Sequence, residues 1–112
     1  MSEKSDVVLI LSTAPDPSVA ERVARALLEQ RLVACANVLP GVRSHYWWKD
    51  EIETSTEALT LMKARWSDVE RIVARLREMH PYEVPEVIAV PVVAGLDSYL
   101  DWVIEETDRR GG

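Results

Sequence analysis

The sequence predicts an α+β fold in which helices pack on an antiparallel four-stranded sheet. The chain has 112 residues, the usual length of one domain, and it is 47% hydrophobic and 29% charged, as ordinary globular proteins are. Apolar runs and two-residue alternation mark four strand-like stretches, and three further stretches carry apolar residues at helical spacing. The elements alternate as strand, helix, two strands, helix, strand and a last helix. We therefore expect one domain over residues 1–112, with the polar residues 1–5 frayed.

The first two elements are a strand and a helix. An apolar run over residues 6–13 ends at Ser12-Thr13 and predicts a strand buried on both faces. Asp16 is placed to cap a helix and Pro17 suits its first position. The helix is expected to end near Gln30, and its buried stripe comprises Ala20, Val23, Ala24, Leu27 and Leu28.

A long hairpin follows. Residues 32–39 and 42–48 predict one extended arm, with Pro40-Gly41 as a break or bulge. Lys49-Asp50 predicts the turn, since aspartate tolerates left-handed backbone geometry. Residues 51–63 return as the next strand. The tip of this hairpin is expected to reach beyond the domain.

The second half of the chain predicts a helix, a loop, a strand and a last helix. Ser67 and Glu70 have the spacing of a capping box and predict the start of the second helix. The sequence HPYEVPE, residues 80–86, follows as a stiff loop. The fourth strand, residues 87–93, contains Pro91, which lacks a ladder donor and predicts a sheet edge or a bulge. A last helix is predicted over residues 96–109.

This order of elements is that of a ferredoxin-like βαββαβ sandwich with an extra C-terminal helix. Both main helices would cover one face of the sheet, and one short final helix cannot shield the other face. Exposed apolar faces and sheet edges favour association, so we expect a homo-oligomer. The residues predicted at its interface are Tyr46, Trp47, Trp48 and Pro91.

Composition argues against several classes of function. The net charge of −6 disfavours nucleic-acid binding. The apolar run at Val7 to Leu11 is too short for a membrane span or a signal-peptide core, and the single Cys35 suits a reducing compartment, so we expect a cytoplasmic protein. The sequence contains no nucleophile–base pair and no phosphate-binding glycine loop. We therefore expect no catalytic residue, no enzyme activity and no organic cofactor.

Several stretches together resemble the CutA family, which is named for divalent cation tolerance. They are STAPD at residues 12–16, RLVACANVLPGVRSHYWWKDEIE at 31–53, Glu57, Lys63, HPYEVPE at 80–86 and YLDW at 99–102. The resemblance spans nearly the whole chain. It implies a compact, very stable trimer of ferredoxin-like subunits, similar in architecture to PII signalling proteins, with a link to copper or other divalent metals.

The chain also departs from that family. Asp50 stands where glycine is common. Some members carry a cysteine at the position of Ser12 and a second histidine at that of Met79, and these form the family's metal-ligand proposal together with the equivalent of His80. Only His80 matches, which argues against copper binding by that particular set.

The main site hypothesis is a divalent-cation site, copper above all, formed by His80, Glu83 and Glu86. Imidazole suits copper and zinc, and a trimer could bring several copies together. The alternative for His80 is a cap in which the protonated ring interacts with the negative end of the second helix. The sequence is compatible with both roles of His80, the metal ligand and the helix cap.

A second hypothesis is a PII-like regulatory trimer whose inter-subunit cleft binds a small anionic ligand or an unidentified partner protein. Lys63, Tyr82 and Glu86 would line the cleft, although Lys63 could instead pair with Glu86. A third is a structural trimer whose hairpin docks partners. Cys35 is either a core residue or an accessible thiol, and we expect Trp66 and Trp102 in the core or an interface.

Overall fold

The computed structural model describes residues 6–109, so the predicted fraying of residues 1–5 lies outside the described residues. Four strands form one antiparallel sheet in the order β2-β3-β1-β4. The elements are β1 (Val7–Ala14), α1 (Pro17–Glu29), β2 (Val33–Trp48), β3 (Glu51–Arg65), α2 (Val69–Met79), β4 (Val87–Pro91) and α3 (Asp97–Glu106). None of the helices in the described chain is long and apolar enough to cross a membrane.

Helices α1 and α2 cover one face of the sheet, as predicted. Alternate β1 residues point to that face, where Val8 and Ile10 are fully buried. The helices bury one stripe each against them because their apolar residues recur at helical spacing. The core on this face comprises Val8, Ile10, Val23, Ala24, Leu27, Leu32, Val33, Met62, Ala64, Ile72 and Leu76.

The two helix starts differ in how their first turns are capped. Asp16 caps α1 as predicted, with its carboxylate accepting from Val19 N at 2.9 Å. The capping box predicted for α2 is wrong, because the chain enters that helix through a 3₁₀ turn and no side chain caps it. Asp68, at the cap position, is instead held by Arg71 and by Arg109, 41 residues away. These partners draw the carboxylate away from the helix amides.

The hairpin extends well beyond the sheet. β1 pairs with β3 only from Ala58 to Arg65, so residues 42–57 pair with one another alone and form a two-stranded arm. The predicted irregularity lies between Leu39 and Val42, where Gly41 has φ +71. Lys49 and Asp50 form the predicted turn, both with left-handed backbone.

The second face of the sheet is covered only at one end. There α3 packs Leu100, Val103 and Ile104 against Val7. β4 lies at the sheet edge and pairs only with β1, as Pro91 predicts, although the strand ends at Pro91 and not at residue 93. The rest of this face, called the open sheet face below, comprises Leu9, Leu11, Leu39, Leu59, Leu61, Ile88 and Val90.

Candidate functional site

A groove of about 620 Å³ separates the arm from the HPYEVPE loop. The loop leaves α2 at His80, and Pro81 and Pro85 restrict its backbone. The arm forms the opposite side, because β2 and β3 continue past the sheet. The groove is lined by residues 44–48 of the arm, by Tyr82, Glu83, Val84 and Glu86 of the loop, and by Thr13 and Glu57.

His80 lies beneath the loop, with only 8% of its surface exposed. Its Nε2 is 2.7 Å from the carbonyl oxygen of Thr13, and its Nδ1 accepts from the backbone N–H of Tyr82 at 3.1 Å. A carbonyl can only accept, so Nε2 carries the proton and the ring is the neutral tautomer. Both nitrogens are therefore engaged by backbone groups. In this geometry His80 fixes the loop and offers neither a free metal-binding nitrogen nor a charged helix cap.

Glu57 and Tyr82 form the centre of the groove. The Tyr82 hydroxyl donates to Glu57 Oε2 at 2.7 Å, and its ring lies 4.7 Å from the His80 ring. Burial, followed by the hydrogen bond to Glu57, raises the pKa of Tyr82 above its usual value near 10. Sequence reasoning did not select Glu57 as a site residue. A carboxylate immediately before the apolar stretch Ala58-Leu59 was the signal that could have found it.

Glu83 and Glu86 are exposed on the loop and line the groove together with Tyr82. The backbone of Glu86 is fastened to β1, because Ser12 Oγ donates to its carbonyl oxygen at 2.7 Å. Within residues 6–109, no three His, Cys, Asp or Glu side chains converge closely enough to hold a metal ion. One chain therefore provides carboxylates in the groove without a completed metal site.

Within one chain Lys63 lies outside the groove and away from Tyr82 and Glu86. Six strand positions separate it from Glu57, roughly 20 Å along β3. It projects on the same side as the open sheet face, where its ammonium donates to Asn37 Oδ1. None of the Lys or Arg residues described in the structure lines the groove. A small anion would therefore meet carboxylates there and no cation.

The aromatic residues predicted at an interface form the arm side of the groove. Tyr46, Trp47 and Trp48 are exposed, and 71% of the Trp47 surface is accessible. Tyr46 Oη lies 3.3 Å from Ser55 Oγ across the arm, and the Lys49 ammonium lies 5.8 Å from the Trp48 ring centre. The arm therefore presents aromatic surface directly opposite the loop carboxylates.

The remaining candidates lie elsewhere. Cys35 is half-buried, with its Sγ 3.3 Å from the Tyr99 hydroxyl. This hydrogen bond, followed by burial, raises the pKa of Tyr99 to about 12. Trp102 stacks on Tyr99 with ring centres 5.6 Å apart. Trp66 is 61% exposed, so it is not a core residue of the subunit.

Comparison with known proteins gives one family. The family model described as "CutA1 divalent ion tolerance protein" matches residues 8–106. A protein of Pectobacterium atrosepticum named "Divalent-cation tolerance protein CutA" is 43% identical over 98 residues, which cover 88% of this chain and 89% of that protein. A Thermus thermophilus protein of the same name is 40% identical over 99 residues, which cover 88% of this chain and 96% of that protein.

Solved structures agree with the sequence relatives. The crystal structure of CutA from Xylella fastidiosa has a TM-score of 0.89 and 46% identity, covering 93% of this chain and 100% of that one. The crystal structure of CutA1 from Oryza sativa has a TM-score of 0.91 and 32% identity, covering 96% of this chain and 99% of that one.

Proposed function

Since the chain belongs to the CutA1 divalent ion tolerance family, we propose that it is a non-enzymatic, cytoplasmic homotrimer that binds Cu(II) or another divalent cation. The observation that carries this proposal is the groove, which is lined by three carboxylates and by none of the described lysines or arginines. The half-buried free thiol of Cys35 supports a reducing compartment.

The cation ligands in this proposal are the carboxylates of Glu83 and Glu86, with Glu57 behind them. Carboxylate oxygens bind hard divalent cations and also Cu(II) in tetragonal sites. Both loop residues are exposed and so can reach a cation shared with another subunit. His80 supports them indirectly, because its two backbone hydrogen bonds hold the loop that carries them.

A trimer is supported by surfaces that one chain leaves uncovered. The open sheet face includes residues of all four strands, and α3 packs on the sheet only beyond one end of it. Ile88 is 52% exposed there. Apolar surface of this kind is stabilised by packing against another subunit. Trp47, which points to the opposite side of the arm from Tyr46 and Trp48, and the β4 edge at Pro91 would also lie at subunit contacts.

Native mass spectrometry with stoichiometric Cu(II) tests the proposal. We expect a trimer that gains defined copper adducts, and a Glu83→Gln/Glu86→Gln variant that loses most of them because its ligands are neutral. Glu105→Gln, which removes an exposed carboxylate from α3, is the matched control and should bind as wild type. Unchanged adducts in the double variant would refute the ligand assignment, and a monomer would refute the assembly.

A further inference from the structure

The carboxylate of Glu57 lacks a cationic partner in the described chain. The residue is 7% exposed, and its hydrogen bond comes from the neutral phenol of Tyr82. Its other oxygen receives no hydrogen bond from residues 6–109, and no ion pair there includes Glu57. That oxygen is not buried, because none of the buried side-chain oxygens in the described chain lacks a partner. It is therefore open to a ligand, and a carboxylate in a largely enclosed position is stabilised by pairing with a cation. Glu57 lines the groove, so a cation entering the groove could pair with it.

The groove walls suit an organic cation. Tyr46 and Trp48, which point to the same side of the arm, present aromatic surface, which attracts ammonium groups and packs well against methylene groups. Glu83 and Glu86 add two more carboxylates on the loop side, at the exposed rim. The groove volume of about 620 Å³ lies within the range of small-molecule sites.

Other classes of ligand satisfy fewer of these features. An anion would be repelled by three carboxylates, and a neutral apolar molecule would leave Glu57 unpaired. A bare metal ion would make no use of the aromatic wall. A flexible molecule with an ammonium group at each end would pair with Glu57 at one end and with a rim carboxylate at the other.

We propose that the groove binds a protonated aliphatic diamine or polyamine. One ammonium group pairs with Glu57, the methylene chain packs against Tyr46 and Trp48, which lie on the same side of β2 as Glu57 does on β3, and a second ammonium group pairs with Glu83 or Glu86. This proposal shares carboxylates with the proposed metal site but does not depend on it. Diamine and divalent metal ion would then compete for the groove.

Calorimetric titration of the full chain in its assembled state with 1,4-diaminobutane tests this proposal, with tryptophan emission recorded in parallel because Trp47 and Trp48 line the groove. We expect saturable binding of the diamine and none of 1,4-butanediol, which has the same length without charge. Glu57→Gln keeps an acceptor for Tyr82 and should weaken binding at least about tenfold. Glu105→Gln should bind within about twofold of wild type, as expected for an exposed charge far from the groove.

The outcomes separate this inference from the metal proposal. Diamine binding without copper adducts would support the inference and refute the metal site. Copper adducts without diamine binding would support the metal site and refute the inference. Equal affinities of Glu57→Gln and Glu105→Gln for the diamine would overturn the inference. Should Glu57→Gln fail to fold by circular dichroism, Glu83→Gln/Glu86→Gln serves in its place, since both residues are exposed. A diamine affinity equal to wild type in that double variant would also overturn the inference.

Discussion

The groove depends on side chains whose roles are set by distant partners. His80 binds the carbonyl of Thr13, 67 residues away, and also the N–H of its near neighbour Tyr82. Tyr82 in turn donates to Glu57, 25 residues away. A histidine beside two prolines is compatible with a ligand or with a structural residue, and only these contacts distinguish the two. Residue type alone therefore predicted the loop as a site without predicting what each side chain does in it.

Tyr82→Phe should lower the free energy of unfolding by about 1–3 kcal/mol at pH 8, since a buried carboxylate loses its donor. The difference from wild type should shrink above pH 10. The folded-state pKa of Tyr82 is raised, so its contribution is complete below the unfolded value near 10 and is lost as the unfolded phenol ionises first. The pKa of Tyr99 is also raised, to about 12, but Tyr99 is present in both wild type and Tyr82→Phe. Its contribution to the free energy of unfolding is therefore the same in both proteins and cancels in their difference.

Urea unfolding of both proteins between pH 8 and pH 11 measures this difference. Tyr46→Phe is the matched control, because the Tyr46 hydroxyl lies on the exposed arm, and a change within about 0.5 kcal/mol is expected. A constant difference between wild type and Tyr82→Phe across this range would contradict the linkage.

At the scale of elements, a sequence pattern predicted a cap or a turn correctly where the residues that form it lie close together in the chain. The Asp16 cap bonds to Val19, and the Lys49-Asp50 turn needs only its own backbone. The Ser67 capping box failed because Asp68 is held by Arg109 from the far end of the chain. Glu57 was missed for the same reason, since its partner lies on another element. The order of elements was therefore predictable, whereas contacts between elements at the site were not.

Asp50→Gly should raise the free energy of unfolding by about 0.5–1 kcal/mol. Asp50 has φ +67, and glycine adopts this left-handed geometry without a steric penalty, although it adds entropy to the unfolded chain. Thermal and urea unfolding measure the change.

Gly41→Ala provides a comparison of opposite sign. Gly41 has φ +71, and an added Cβ would meet nothing within 4 Å, so only backbone strain acts. A loss of about 1 kcal/mol is expected. A stabilised Gly41→Ala or a destabilised Asp50→Gly would show that backbone geometry does not control the stability of the arm.

At the scale of the whole molecule, the two faces of the sheet differ in how far one chain covers them. The face under α1 and α2 is closed within one chain, whereas the open sheet face carries apolar side chains that α3 does not reach. The sequence predicted this difference, because the apolar run of β1 indicates a strand buried on both faces and one short final helix cannot shield the second face.

Ile88→Glu should convert the proposed trimer to monomers, because it places a charge among the apolar side chains of the open sheet face. Ile88 is 52% exposed in one chain, so the subunit itself should fold normally. Sedimentation equilibrium gives the mass. Leu28→Glu, on a part-exposed position of α1 behind the sheet, is the control and should remain a trimer. A trimer in both variants would exclude this face as the contact.

The arm has a consequence for hydrogen exchange. An isolated two-stranded ribbon is only marginally stable in water, and residues 42–57 have no third strand beside them in the single chain. Their amides should therefore open by local fraying and exchange with solvent well before those of β1, whose neighbours lie on both sides. Neighbouring subunits that pack on the arm would suppress this opening. The exchange rate of the arm amides would then report how long a subunit stays in its assembly.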